Sequence, residues 1–507
     1  MKEQRAQAYV NLIEQLLARA DDEELNNILQ ANQELIDPQF LQVMENYATG
    51  LEEQGNNNPA AWLRDMVQQL GQFLNLQAVS IEEYQKFLSE VLQAEFESDG
   101  NPTVVYPILQ RRQHLLNDTF AQLLQQWARY RFSQGKAEEV AVIAAVIGDL
   151  CNKLQEFPLG SRANNLEIAI KGYQTLLEVY TREAFPYEWA ATQNNLGSAY
   201  IKRIKGERAD NLELAIIAYN QSLEIYTRDA FPENWAVTQN NLGSAYINRI
   251  KGDIVENIET AIFCYQEALK IRTFDAFPLD WATTQNNLGN AYSERIRGNK
   301  AENIENAIVC YQEALQICTR QAFPGDWAET QYNLANTLRE RFKLLGKVAD
   351  IQQAINSYKQ AGEIIEKTED KTLYFNYSYQ LGKALFEGGY YTEAIEHSEN
   401  CQQLYQKQKD ISSLAPILLE LARLYHRTGR LEQARLYFKD SLRLFRRLGD
   451  QDNVASVTTA LGNLEIQIGK ISQACSHLKE AQTYYQENNN SERLEEINHL
   501  LKILQSA

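Results

Sequence analysis

Asparagines recur in this chain at a fixed interval. Asn194-Asn195, Asn240-Asn241 and Asn286-Asn287 are followed by Tyr332-Asn333, each 46 residues after the last. A side-chain amide carries a donor and an acceptor together, so it can hold a peptide bond whatever side chain that peptide bears. Asparagine is also a mediocre helix former. Two of them in mid-helix, repeated, need a reason. Either they bond a neighbouring helix or a connecting loop, or one of each pair grips the backbone of a bound peptide. Arg203, Arg249, Arg295 and Arg341 repeat at the same interval. A guanidinium near the C-terminal end of a helix is favoured by the helix dipole. Alternatively, a line of them would orient an acidic ligand or a chain carboxylate.

Other chemistry is sparse. Cys264 and Cys310 are equivalent positions, Cys318 follows two turns later, and Cys151, Cys401 and Cys475 are isolated. With no C-x-x-C, these read as small buried thiols rather than metal ligands. The histidines (His114, His397, His426, His477, His499) are scattered without ligand spacing. There is no phosphate-binding G-x-x-x-x-G-K-[ST], no dinucleotide glycine pattern and no G-x-S-x-G. The expectation is no catalytic residue, no metal and no cofactor.

The elements that carry the asparagines are themselves repeats. FPYEWAATQNNLGSAY begins at Phe185, and related phrases begin at Phe231, Phe277 and Phe323. Between them run NLEIAIKGYQTLLEVYTR from Asn165 and its relatives from Asn211, Asn257 and Asn303. Both phrases have helical period: Leu212, Ala215, Ile216, Tyr219 and Leu223 form one apolar stripe. Pro186, Pro232, Pro278 and Pro324 suit a first helical turn. The unit is thus helix A, loop, helix B, loop. The recurrent Trp189, Trp235, Trp281 and Trp327, with the phenylalanines that open each phrase, read as packing between neighbours. From Leu381 the interval shortens to 40, with further copies at Leu421 and Leu461. In these, Gly382, Ala422 and Gly462 precede Ala394, Ala434 and Ala474 by 12, small residues that let the two helices approach.

A Leu-Gly/Ala pair, an aromatic three residues later and a helix-B alanine resemble tetratricopeptide repeats. The Asn-Asn-Leu phrase after a Pro-led helix start is similar to the cargo-binding repeats of kinesin light chains. The full phrase resembles the repeats of cyanobacterial tetratricopeptide proteins, many of which carry a caspase-like CHAT protease domain at the C-terminus. The resemblance implies an all-α, right-handed superhelical solenoid whose concave side is lined by helix A. It departs from those proteases after the last repeat. Residues 491–505 read as one amphipathic closing helix, and the family's catalytic His and Cys have no counterpart.

Residues 1–136 match neither period and read as a helical module, with helices near 3–19, 22–36, 38–54, 59–75, 80–97, 103–113 and 117–133. The expected organisation is this module, a 46-residue array over 137–367, a 40-residue array over 368–490 and a capping helix over 491–507. The 507 residues hold 49 basic and 67 acidic side chains, net −18. Half of that excess lies in residues 1–136, which hold 10 basic and 19 acidic residues. Such a balance argues against a nucleic-acid partner, and no apolar run is long enough to span a membrane. The expected function is a non-enzymatic cytoplasmic scaffold that binds a peptide or partner protein in the concave groove. The alternative is a sensor subunit controlling a separately encoded effector such as a CHAT-like protease. Neither the partner nor the oligomeric state is legible in the sequence.

Overall fold

The computed structural model describes residues 2–18, 25, 28–29, 31–32, 35–53, 57–73, 80–368 and 371–506. The helix expected over 22–36 lies largely outside them. Among the described residues there is no strand. The chain divides into two compact units, Met1–Ala230 and Phe231–Ala507.

The first unit contains α1 (Lys2–Ala18), α2 (Pro38–Glu53), α3 (Asn57–Phe73), α4 (Ile81–Glu97), α5 (Pro102–Arg111), α6 (Asp118–Gln134), α7 (Ala137–Glu156), α8 (Arg162–Leu176), α9 (Pro186–Lys202) and α10 (Arg208–Leu223). Tyr9, Leu12, Ile13 and Leu16 of α1 close a core with Phe40, Met44 and Leu63 of α2 and α3. Ser80 caps α4 and Asn117 caps α6 through side-chain oxygens that accept from backbone N–H groups in the first turn. From α7 to α10 each helix packs on the next.

The second unit contains α11 (Pro232–Ile247), α12 (Ile254–Leu269), α13 (Pro278–Glu294), α14 (Lys300–Ile317), α15 (Pro324–Leu345), α16 (Val348–Ile365), α17 (Lys371–Glu387), α18 (Tyr391–Gln408), α19 (Ile411–Arg427), α20 (Leu431–Leu448), α21 (Gln451–Gln467), α22 (Ile471–Glu487) and α23 (Ser491–Ser506). Odd-numbered helices here, up to α21, are helix A of their repeats. They pack on their own helix B, and α11, α13, α15, α17 and α19 also touch in succession.

The sequence sets each boundary. Pro186, Pro232, Pro278 and Pro324 occupy the first helical turn, as their position suggested. The loop before each is held by a threonine: Thr181, Thr227, Thr273 and Thr319 Oγ1 accept from the backbone three residues on. The A-to-B turn needs a left-handed residue, and Gly206, Gly252 and Gly298 supply it at φ 81°, 81° and 87°. In the fourth copy the glycine comes five residues after the arginine instead of three. Helix α15 therefore runs on to Leu345 before Gly346 caps it. Arg203 and Arg295 stand at helix ends and Arg249 just past one, but Arg341 sits one turn inside. The tryptophans divide: Trp235 and Trp327 are buried, whereas Trp189 and Trp281 are only half-buried.

Candidate functional site

One close contact fixes how helix A faces its helix B. A Cβ at Gly197, Gly243 or Gly289 would stand 2.7 Å from the ring of Tyr219, Tyr265 or Tyr311. Only glycine lets the ring lie flat against the helix there. The ring's far end reaches helix A again. Tyr219 and Tyr265 hydroxyls lie 3.0 and 3.2 Å from Ser198 and Ser244 Oγ, and Tyr311 donates to Asn290 Oδ1 at 2.7 Å. Burial pushes these phenols above their ordinary pKa, so they remain donors. The same pattern begins earlier, where Tyr173 donates to Asn152 Oδ1 at 2.7 Å.

This registration brings the asparagines together. In the first unit Asn195 Nδ2 donates to Asn152 Oδ1 at 3.0 Å, and Asn194 Nδ2 lies 3.4 Å from Asn195 Oδ1. In the second, Asn287 Nδ2 donates to Asn240 Oδ1 at 3.2 Å and Asn333 Nδ2 to Asn286 Oδ1 at 3.4 Å. Asn240 Nδ2 lies 3.5 Å from Asn241 Oδ1. Asn195, Asn287 and Asn333 thus each bond helix A of the preceding repeat, forming rungs of an amide ladder within each unit. The members differ in access. Asn240 and Asn286 are 7% and 9% exposed, while Asn194, Asn195, Asn241, Asn287 and Asn333 are half-buried.

The arginines are held firmly. Arg203 Nε and Nη2 donate to the carboxylate of Glu167 at 2.7 and 2.8 Å, and Arg295 grips Glu259 with the same atoms and distances. Arg341 reaches Glu305 at 2.6 Å and takes both oxygens of Asp350 at 2.7 and 2.8 Å. Each glutamate lies 36 residues back, on helix B of the preceding repeat. The guanidiniums of Arg203, Arg249 and Arg295 also sit 6.0, 5.6 and 5.9 Å from the ring centroids of Tyr200, Tyr246 and Tyr292. Arg295 holds Glu259 below the usual carboxylate range. The positive line along helix A is in large part balanced inside the fold.

A second set of asparagines recurs at the same interval. Asn165, Asn211, Asn257 and Asn303, each in the first turn of helix B, are 0%, 2%, 4% and 2% exposed. Their Nδ2 atoms donate to the A-to-B loop carbonyls of Leu159, Lys205, Lys251 and Arg297 at 2.9–3.0 Å. It is these residues, not the mid-helix pairs, that tie down the loop. Their recurrence at 46 was the available signal.

Three of the scattered histidines have side-chain or backbone partners, among them His426, whose Nε2 lies 2.8 Å from Gln467 Oε1. His397 lies one turn before Cys401, with Nε2 3.7 Å from the thiol and 2.9 Å from the Ser378 carbonyl. Burial pushes this thiol up to about 12 and the imidazole below its ordinary value, the opposite of an activated nucleophile. His477 Nδ1 lies 2.7 Å from Glu465 Oε2. Cys264 and Cys310 are buried and pushed up to about 12. Among the described residues no group of His, Cys, Asp and Glu could hold a metal ion, and no helix is long and apolar enough to cross a membrane.

Stacked helix pairs, with glycine against tyrosine inside the pair and periodic ties between pairs, define an all-α solenoid of the tetratricopeptide type. Residues 374–447 and 413–487 match the tetratricopeptide repeat model, and residues 276–402 match that of the soluble NSF attachment protein, SNAP. No curated protein matches the chain. Among solved structures, it is similar to a Signal Transduction ATPase with Numerous Domains (STAND) protein with a tetratricopeptide repeat sensor from Pyrococcus horikoshii. That likeness has 14% identity over 98% of this chain and 69% of the other, with a TM-score of 0.49. The apo quorum sensor NprR from B. thuringiensis is similar at 17% identity, over 80% of this chain and 97% of that one, TM-score 0.40. A Rap protein complexed with competence and sporulation factor is similar at 10% identity, over 76% and 98%, TM-score 0.34.

Proposed function

We propose that this chain is a non-enzymatic scaffold that binds an extended peptide, or an extended segment of a partner protein, along the asparagine-bearing face of its 46-residue repeats. The observation that carries the reading is the half-buried second asparagine of each pair. Asn287 and Asn333 each use one amide proton on the ladder, which leaves a second N–H and a carbonyl oxygen for a ligand backbone. The ladder holds these amides in fixed orientation, which lowers the entropy lost when a ligand binds. Arg203, Arg295 and Arg341 serve here as ties between repeats, with their charge turned to the glutamates. The test replaces Asn195, Asn241 and Asn287 by alanine in one variant and Asn194, Asn240 and Asn286 in another. Binding to a partner co-purified from the native host is then measured. The first variant is expected to bind at least tenfold more weakly with its helical circular dichroism unchanged. If both variants fold and bind like the wild type, the reading is wrong.

A further inference from the structure

Beyond the 46-residue repeats the character of the helix-A face changes. Gln380 and Glu420 precede the Leu-Gly or Leu-Ala pair of α17 and α19, where Asn195, Asn241, Asn287 and Asn333 precede it upstream. Cations gather at this point. Arg339 of α15 is neutralised, since its guanidinium donates to both oxygens of Glu387 and to Gln380 Oε1. Lys383 of α17 is not. Its ammonium lies 4.3 Å from the centroid of the Tyr379 ring, and among the described residues no carboxylate stands within 4.0 Å of it. It is half-buried. Burial, with Arg339, Lys343 and Arg423 nearby, pushes its pKa down.

Glu420 of α19 lies beside it. This side chain is only 7% exposed, its Oε2 has no hydrogen-bond partner, and among the described residues it makes no ion pair. Its carboxyl oxygens stand 3.1 Å from where a Cβ of residue 382 would be, so Gly382 makes the room it occupies. Tyr379, Lys383 and Glu387 of α17 face it, as do Arg339 of α15, Cys401 of α18 and Arg423 of its own helix. Burial lifts this carboxyl to about 8, which leaves it neutral and a hydrogen-bond donor at pH 7. A desolvated cation without an anion and a desolvated carboxyl without a partner are each costly. Here they are neighbours that do not pair with each other.

We propose that Lys383, Arg423 and Glu420 form a seat for a small oxyanion, a carboxylate or phosphoryl-type group of a ligand, on the face that α17 and α19 present side by side. The two cations supply charge, and the protonated carboxyl donates its O–H to one oxygen of the ligand. Once Glu420 ionises, it repels the same group. Binding is therefore linked to a proton and weakens as pH rises through the titration of Glu420. The seat uses none of the asparagines of the ladder, so each proposal stands or falls without the other.

The amide resonance of Gly382 reports on the seat in the ¹⁵N-labelled full chain. It is followed during titration with sulfate and with acetate, neither of which titrates between pH 6.5 and 9.5, at constant ionic strength. A saturable shift is expected, with affinity at least tenfold weaker at pH 9.5 than at pH 6.5. Arg423 is exposed, so Arg423→Gln keeps the fold and weakens binding severalfold at both values. Glu420→Gln, a neutral donor of the same shape, retains binding and loses its pH dependence. Preference for sulfate marks a phosphoryl-type ligand and preference for acetate a carboxylate. The proposal is overturned if the shift does not saturate, or if Arg423→Gln and Lys383→Met leave it unchanged, an adventitious ion only. Wild-type pH dependence surviving in Glu420→Gln overturns it equally.

Discussion

Glu420→Gln is expected to stabilise the second unit at alkaline pH and to be nearly neutral in acid, with no ligand present. The carboxyl is almost fully buried, and its titration moves from the usual 4.5 up to about 8. Each tenfold change in proton affinity corresponds to about 1.4 kcal/mol, so the charged form is disfavoured in the fold by on the order of 5 kcal/mol. The native state binds the proton more tightly than the unfolded chain. The contribution of the neutral carboxyl is fully present below the unfolded value, declines as pH rises, and is lost once the folded carboxyl itself ionises. Wild-type stability thus falls between about pH 4.5 and 8 and levels off above. Glutamine keeps the shape and never charges. The two proteins should agree to within ~1 kcal/mol at pH 5 and differ by a few kcal/mol in favour of glutamine at pH 8.5. A chain of stacked repeats does not unfold in one step. Native-state hydrogen exchange of α19 amides, measured at pH 5, 7 and 8.5, reads the local stability directly. A difference that is flat across pH, or one that favours glutamate as pH rises, would refute the account of this buried carboxyl.

Two further perturbations probe the ties that set the repeat. Arg295→Met and Glu259→Gln should show a coupling of ~1–2 kcal/mol in a double-mutant cycle, since the pair is bidentate with side chains only 26% and 20% exposed. Because Arg295 lowers the Glu259 pKa, the coupling should be present at neutral pH and disappear as pH falls through that lowered value; additive single mutants at pH 7 would show the clamp to be idle. Gly289→Ala drives a methyl to within 2.7 Å of the Tyr311 ring, and should cost ~1–3 kcal/mol in the urea unfolding of the repeat; a cost near zero would mean that the ring is not pinned.

Periodicity carried most of the fold. The Pro-led starts, the apolar stripe through Leu212, Ala215, Ile216 and Tyr219, and the glycine before each tyrosine contact all belong to one repeat. One repeat can be read along the chain. What escaped was contact between repeats. Glu167, Glu259 and Glu305 recur as regularly as Arg203, Arg295 and Arg341, yet nothing in their spacing announces that residues 36 apart meet. The mid-helix asparagines posed a choice between bonding and recognition, and the ladder demonstrates the bonding. Glu420 was invisible for a different reason. In an acidic helical chain one more glutamate attracts no notice, and only burial against Gly382 sets it apart.

The ties between repeats have one further consequence. In the second unit each clamp joins an arginine to a glutamate 36 positions earlier, and the two rungs Asn287–Asn240 and Asn333–Asn286 join asparagines 47 apart. Removing residues 278–323 would delete one whole period from the second unit. Arg341 would then meet Glu259 in place of Glu305, and Asn333 would meet Asn240 in place of Asn286. The clamp and the ladder are thus rebuilt in register, whereas Glu363 would lose Arg320, whose place Phe274 would take. These two kinds of tie are closed under excision and duplication, so the length of the array can drift by unequal recombination with its arginine clamps and asparagine rungs kept in register.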